Sequence, residues 1–87
     1  MKIGDRTGIA RSSSRLASVW MSLRNYRKAK EYLDEALATS TEIGDRVEEA
    51  KCCGRLDSLF DELGDNVKGK EYYEKSLAMA LEIGEEI

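Results

Sequence analysis

Apolar and small residues recur along this chain at steps of three and four residues, the spacing that places side chains on one face of an α-helix. The first series is Ala10, Ser13, Leu16, Ala17, Trp20 and Leu23, and its later counterpart is Ala50, Cys53, Leu56, Phe60 and Leu63. Two further series are Tyr26, Ala29, Leu33, Ala36 and Leu37, and Tyr73, Ser76, Leu77 and Ala80. Turn-forming residues separate the series at Arg24-Asn25, Gly44-Asp45 and Gly64-Asp65-Asn66. The pattern predicts four helices, over residues about 6–22, 26–42, 46–62 and 66–82.

The order of residues in the first half of the chain returns in the second half. Ile3-Gly4-Asp5-Arg6 reappears as Ile43-Gly44-Asp45-Arg46, so the period is 40 residues, and no gap is needed to align the two copies. Each period contains two predicted helices, which is typical of a helical repeat array. We therefore expect one all-α domain over residues 1–87. It would consist of two helix-turn-helix hairpins, with repeat one at about residues 5–44 and repeat two at about residues 45–84.

The junction between the repeats has residues that end one helix and begin the next. Gly44 suits the left-handed conformation that closes a helix, and Asp45 with Glu48 three residues later is a capping-box sequence. Helices of about 17 residues are barely stable alone in water, so we expect stacking of the helices to supply most of the stability.

Composition supports helices and argues against several functions. The chain has no proline, and 36% of its residues are charged, which is typical of helical proteins. The net charge of −3 comes from well-mixed acidic and basic residues, so we expect neither nucleic acid nor a membrane as a partner. Because no apolar run approaches ~20 residues and the amino terminus is not signal-like, the sequence predicts a soluble, cytoplasmic protein.

The sequence offers no candidate for a catalytic or metal site. Cys52 and Cys53 are adjacent, so their side chains diverge on a helix, and we interpret them as reduced, small apolar residues. With no histidine and no second cysteine pair, we expect no metal and no cofactor. The carboxylates lie among lysines, and none is paired in sequence with a nucleophile and its base, so we do not interpret the chain as an enzyme.

Several segments match a known repeat. Leu59-Phe60-Asp61-Glu62-Leu63-Gly64-Asp65, followed by Lys70-Glu71-Tyr72-Tyr73-Glu74-Lys75-Ser76-Leu77-Ala78 and Glu82-Ile83-Gly84, resembles the tetratricopeptide repeat. The 40-residue spacing is similar to that of the longer subtype, found in the Leu-Gly-Asn repeat protein that organises mitotic spindles. The resemblance covers essentially the whole chain. It implies a right-handed superhelical array that serves as a scaffold for protein–protein interaction.

In that family the first helices of successive repeats line a concave groove that holds peptides. By register, the resemblance implies a peptide-binding surface made of Arg11, Ser14, Arg15, Ser18, Met21 and Ser22 in repeat one and Lys51, Gly54, Arg55, Ser58, Asp61 and Glu62 in repeat two. One end of this groove would be basic and the other acidic. The expected partner is a protein or peptide segment whose acidic groups bind Arg11, Arg15, Lys51 and Arg55. A second interpretation stays open, in which these basic side chains belong to a solvated helix face and form pairs with Glu48, Glu49 or their neighbours.

A structural role is the alternative function. Two repeats without a polar capping helix leave apolar end faces that include Val67, Leu77, Leu81 and Ile83. Such faces favour a homo-oligomer, formed by stacking of the repeats or by exchange of a hairpin, with no separate peptide ligand.

Repeat two departs from repeat one at two positions that face each other in tetratricopeptide hairpins. Asp57 and Gly69 stand where repeat one has Ala17 and Ala29. We interpret Gly69 as making room for the larger side chain of Asp57. Gly69→Ala is therefore expected to destabilise the hairpin, although alanine favours a helix.

Overall fold

The computed structural model describes residues 3–86, and it describes side chains for residues 6–84. This part of the chain forms four α-helices and no strand. The helices are α1 (Ile3–Ser22), α2 (Tyr26–Ile43), α3 (Arg46–Glu62) and α4 (Asn66–Glu86). All four predicted helices are confirmed. The helix α1 begins earlier than predicted, and α4 continues to Glu86 instead of ending near residue 82.

Helices adjacent in the chain are also adjacent in space. The most extensive contacts join α1 to α2 and α3 to α4, those between α2 and α3 are fewer, and α1 touches α3 at a few places only. This arrangement confirms an all-α fold of two helical hairpins. None of the helices in the described range is long and apolar enough to cross a membrane.

Short polar side chains begin three of the helices. The side-chain oxygens of Asn25, Asp45 and Asp65 each accept a hydrogen bond from the backbone N–H three residues later, at 3.2, 3.1 and 3.2 Å. These bonds satisfy N–H groups that have no partner within the helix itself. The turns are therefore fixed by local sequence, which explains why their positions were predictable.

The 40-residue period is present in contacts as well as in sequence. An ion pair between Arg6 and Glu42 joins the beginning of α1 to the end of α2. The equivalent residues Arg46 and Glu82 form the same ion pair between α3 and α4. The two hairpins are thus built alike.

The core lies where the two hairpins meet. Its buried members are Ala17, Ala29, Leu33, Leu56, Leu59 and Phe60. Phe60 stacks on Tyr72 with ring centroids 5.6 Å apart. Trp20, the repeat-one equivalent of Phe60, packs against the same core. Cys52 and Cys53 are buried and form no disulfide, which confirms their interpretation as small apolar residues.

Gly69 is buried against α3, as the sequence predicts, but its closest neighbour is a different carboxylate. A Cβ atom at Gly69 would lie 3.4 Å from Oδ1 of Asp57, which is an ordinary contact, and 2.6 Å from Oδ1 of Asp61. The steric conflict for an alanine therefore involves mainly Asp61, one helical turn after Asp57.

Candidate peptide-binding groove

A pocket of about 370 Å³ lies between α1 and α3. Its lining residues are Arg11, Ser14, Arg15, Asp45, Val47, Glu48, Lys51 and Arg55. We call this pocket the basic groove. Arg11 and Lys51 occupy equivalent positions in the two repeats, as do Arg15 and Arg55, so the internal repeat brings two cations from each first helix to one surface.

The four cations of the basic groove have no acidic partner among the described side chains. Arg11, Arg15 and Lys51 are exposed, and Arg55 is half-buried. None of the four takes part in an ion pair with the described carboxylates. Within this range these cations do not pair with Glu48 or Glu49, whereas the exposure of Arg11, Arg15 and Lys51 agrees with the interpretation of a solvated helix face.

Glu49 instead pairs with Arg46, one turn before it on α3, with Nε and Oε1 3.8 Å apart. This pair lies outside the residues that line the basic groove. The cations of the groove are consequently left with their charge facing the pocket.

The floor of the basic groove joins α3 to α1. The guanidinium of Arg55 donates a hydrogen bond to Oγ of Ser14, which is fully buried. Beneath them, burial raises the pKa of the Cys52 thiol to about 11, and the charge of Glu48 adds to this shift. The thiol is therefore protonated near neutral pH.

The structure places two predicted serines outside the basic groove. Ser18 donates a hydrogen bond to the carbonyl oxygen of Ser14 at 3.5 Å, and Ser58 donates to that of Gly54 at 3.4 Å. Each hydroxyl therefore turns back onto its own helix, as serines inside helices commonly do. Neither lines the pocket.

The predicted acidic end is also separate from the pocket. Met21 packs against the core instead. Asp61 is exposed beside Gly69 of α4, and Glu62 accepts a hydrogen bond from the hydroxyl of Tyr26 at 3.3 Å. The pocket thus brings together the predicted residues Arg11, Ser14, Arg15, Lys51 and Arg55. It leaves out Ser18, Met21, Ser22, Gly54, Ser58, Asp61 and Glu62.

Three residues of the groove wall were not predicted as site residues. Asp45, Val47 and Glu48 lie at the beginning of α3, next to the turn between the repeats. The sequence of this segment indicates helix capping, and Asp45 does cap α3. The same segment, at the beginning of α3, also lines the pocket.

The described residues include no group of three or more histidine, cysteine, aspartate or glutamate side chains placed to hold a metal ion. Comparisons with protein-family models, with curated proteins and with solved structures find no match to this chain. The geometry and charge of the basic groove are therefore the main basis on which a function can be assigned.

Proposed function

We propose that this chain is a protein-interaction module of the tetratricopeptide type, which binds an acidic segment of a partner protein in the basic groove. The observation behind this proposal is the set of four cationic side chains that face one pocket without acidic partners among the described residues. Gathered like charges repel one another, and an anionic ligand removes that repulsion. The internal repeat and the resemblance to tetratricopeptide repeats support the same function.

The spacing of the cations fits carboxylates on an extended peptide. Arg11 and Arg15 are one helical turn apart, as are Lys51 and Arg55, which is about 6 Å along the helix axis. In an extended segment, side chains two residues apart point the same way and are separated by about 7 Å. Glutamates at alternating positions can therefore meet both cation pairs. Three of the four cations are arginines, whose planar guanidinium groups bind carboxylates through paired hydrogen bonds.

Charge reversal in the groove tests this function. The probe is a synthetic peptide with glutamates at alternating positions, titrated into the wild-type chain and into the double variant Arg11→Glu/Lys51→Glu. We expect the double variant to lose at least about tenfold in affinity, because two attractive charges become repulsive.

The matched control is Arg24→Glu/Arg27→Glu, which makes the same change in net charge at exposed residues outside the groove. We expect it to bind the peptide nearly as the wild type does. An equal loss in both variants would mean that only the overall charge matters, and an unchanged affinity of Arg11→Glu/Lys51→Glu would remove the groove from the mechanism.

A second candidate function, self-assembly, is favoured by a difference in burial between equivalent positions. Leu33 in α2 is fully buried, whereas its equivalent Tyr73 in α4 is 54% exposed. Leu56 in α3 is fully buried, whereas its equivalent Leu16 in α1 is 44% exposed. Within the chain α3 covers α2. Because α1 is the repeat-one equivalent of α3, and α2 that of α4, the α1 helix of a second copy can cover α4 as α3 covers α2.

Such stacking is head-to-tail, because the two faces differ, and it continues beyond a dimer. Leu16→Glu blocks one face and Tyr73→Glu the other, so each variant alone is expected to be monomeric in sedimentation velocity. An equimolar mixture keeps one intact face on each chain and is expected to form heterodimers only. Leu63→Glu is the control, because Leu63 and its equivalent Leu23 are both exposed and stacking leaves them uncovered.

A wild-type chain that stays monomeric at all concentrations would contradict self-assembly. A closed homodimer that survives in both single variants would instead indicate exchange of a hairpin, in which the native contacts re-form between chains.

A further inference from the structure

Glu48 is an acidic residue in the wall of a basic pocket, and its carboxylate has no partner there. The residue is only 6% exposed. Its side chain forms neither a hydrogen bond nor an ion pair with the part of the chain whose side chains are described. The carboxylate oxygens of Glu48 are not among the described buried atoms that lack a hydrogen-bond partner, so the solvent of the pocket reaches them although the rest of the side chain is covered. A charge in such a partly covered position loses some of its water, and a counter-charge compensates for that loss. The position of Glu48 therefore needs an explanation.

Helix capping does not supply that explanation. In a capping box, the glutamate three residues after the capping residue accepts a hydrogen bond from the N–H of the capping residue. Here the N–H of Asp45 donates instead to the carbonyl oxygen of Ser40, at 2.9 Å, as part of the turn that ends α2. Only half of the box is formed, through the N–H of Glu48 and Oδ1 of Asp45 at 3.1 Å. The carboxylate of Glu48 therefore takes no part in the cap.

The dipole of α3 does not explain it either. Negative charge is favourable in the first turn of any helix. Glu48 and Glu49 both lie in that turn and gain equally from it, yet Glu49 pairs with Arg46 outside the pocket, whereas Glu48 lines the pocket. The dipole accounts for acidic residues at this end of α3, but not for a buried one that faces the groove.

Charges follow a fixed order along the groove. Glu48, Lys51 and Arg55 are three and four residues apart and so lie on one face of α3. Along the helix axis, Lys51 is about 4.5 Å and Arg55 about 10.5 Å from Glu48. The groove therefore presents two carboxylates, those of Asp45 and Glu48, at the end near the turn between the repeats, followed by positive charges.

We propose that the segment bound in the basic groove has one lysine or arginine beside its acidic residues, and that this cation binds the carboxylate of Glu48. The inference rests on the proposed function and specifies the chemistry of the partner. A ligand cation supplies the counter-charge that the described chain does not provide. It also fixes the direction of the bound segment, because the reverse direction places the cation against Arg15 and Arg55, where it is repelled.

Three synthetic peptides test this order of charge. All have glutamates at alternating positions: one has a lysine before them, one has a lysine after them, and one has glutamine at both places. We expect the wild-type chain to bind one of the two lysine peptides about five- to tenfold more tightly than the glutamine peptide, as for a partly buried charge pair.

Glu48→Gln is expected to abolish that preference, while binding of the glutamine peptide stays equal or becomes tighter because a repulsive carboxylate is gone. Glutamine keeps the shape of the side chain, and the backbone bond to Asp45 is unaffected. Glu49→Gln is the matched control, with the same chemical change one residue away and outside the pocket. It is expected to retain the full preference.

The outcomes separate this inference from the proposed function. If the wild-type chain binds all three peptides equally, or if Glu48→Gln retains the preference for lysine, the role of Glu48 is wrong and acidic-segment binding stands. If none of the three peptides binds the wild-type chain, both proposals are overturned.

Discussion

At the scale of single residues, the two hairpins make the same turn with different amino acids. Arg24 has a backbone φ of 62°, and its repeat-two equivalent Gly64 has a φ of 80°. The left-handed conformation brings a Cβ atom close to the backbone, which costs a non-glycine residue about 1 kcal/mol or more. Repeat one therefore holds strain in this turn that repeat two avoids.

Arg24→Gly is expected to raise the free energy of unfolding by about 0.5–1 kcal/mol, because relief of this strain outweighs the added freedom of the unfolded chain. Gly64→Ala is expected to lower it by about 1 kcal/mol. A Cβ atom at Gly64 meets nothing within 4 Å, so the cost comes from the backbone alone. Urea denaturation measures both changes.

Gly8→Ala is the control for this pair, because Gly8 lies inside α1 and its Cβ atom also meets nothing within 4 Å. The same chemical change is expected to stabilise the protein there, through the helical preference of alanine. A stabilising Gly64→Ala would contradict the account of the turn.

At the scale of elements, α3 and α4 meet around a carboxylate pair. Asp57 and Asp61 lie one turn apart near the carboxyl-terminal end of α3, and both approach the position of Gly69. Burial raises the pKa of Asp57, and the charge and hydrogen bonding of Asp61 raise it further. The dipole of α3 also disfavours negative charge at this end. The contact between α3 and α4 is thus less stable when both carboxylates are ionised.

Alanine at position 69 is expected to reveal which carboxylate limits the space. In the Asp61→Ala variant, Gly69→Ala should raise the free energy of unfolding by about 0.5–1 kcal/mol, because alanine favours a helix and the closest atom is gone. In the wild-type chain we expect a smaller gain, because the new methyl group displaces the exposed Asp61 carboxylate. This expectation replaces the destabilisation that the sequence alone predicts, because the closest atom belongs to a side chain that can move and not to Asp57.

The Asp57→Ala background is the control for this cycle, since the Cβ atom would meet Oδ1 of Asp57 at the ordinary distance of 3.4 Å. There the effect of Gly69→Ala is expected to match its effect in the wild-type chain within about 0.5 kcal/mol. If instead the Asp57→Ala background shows the larger gain, Asp57 limits the space, as the sequence alone predicted.

The raised pKa of Asp57 also predicts a dependence of stability on pH. Between the unfolded and the folded pKa, the folded chain binds more protons at Asp57, so the stability contributed by this group falls as pH rises through the folded pKa. Asp57→Asn is therefore expected to have a higher melting temperature than the wild type at about pH 7. The difference should be smaller at about pH 3, where the wild-type Asp57 is mostly protonated and so uncharged, like the asparagine that replaces it. Glu71→Gln, at an exposed carboxylate on α4, controls for net charge. A difference that does not change with pH would contradict the role assigned to Asp57.

At the scale of the whole molecule, the features that depend on a few neighbouring residues could be predicted from the sequence, and those that depend on how the helices pack could not. The four helices and their pairing were predictable, because the apolar period, the caps and the glycines of the turns are each encoded within a few residues. Five of the eight residues that line the basic groove were predictable from the register that the two repeats share, among them the equivalent pair Arg11 and Lys51. The place of Glu48 in the groove was not predictable. Its sequence position indicates a capping role, but the N–H of Asp45 donates to a carbonyl oxygen at the end of α2 and so leaves the Glu48 carboxylate outside the cap. Nor was the approach of Asp61 to Gly69 predictable, because it depends on how α3 and α4 rotate against each other.

The central claim is that the unpaired cations of the basic groove bind an acidic segment, and calorimetric titration of the wild-type chain at two salt concentrations tests it most directly. With the alternating glutamate peptide, we expect affinity to fall by about tenfold between about 50 mM and about 300 mM salt, because ions screen the exposed charges. We expect the same peptide with glutamine in place of glutamate not to bind. Equal affinity at both salt concentrations, or equal binding of the two peptides, would contradict the claim.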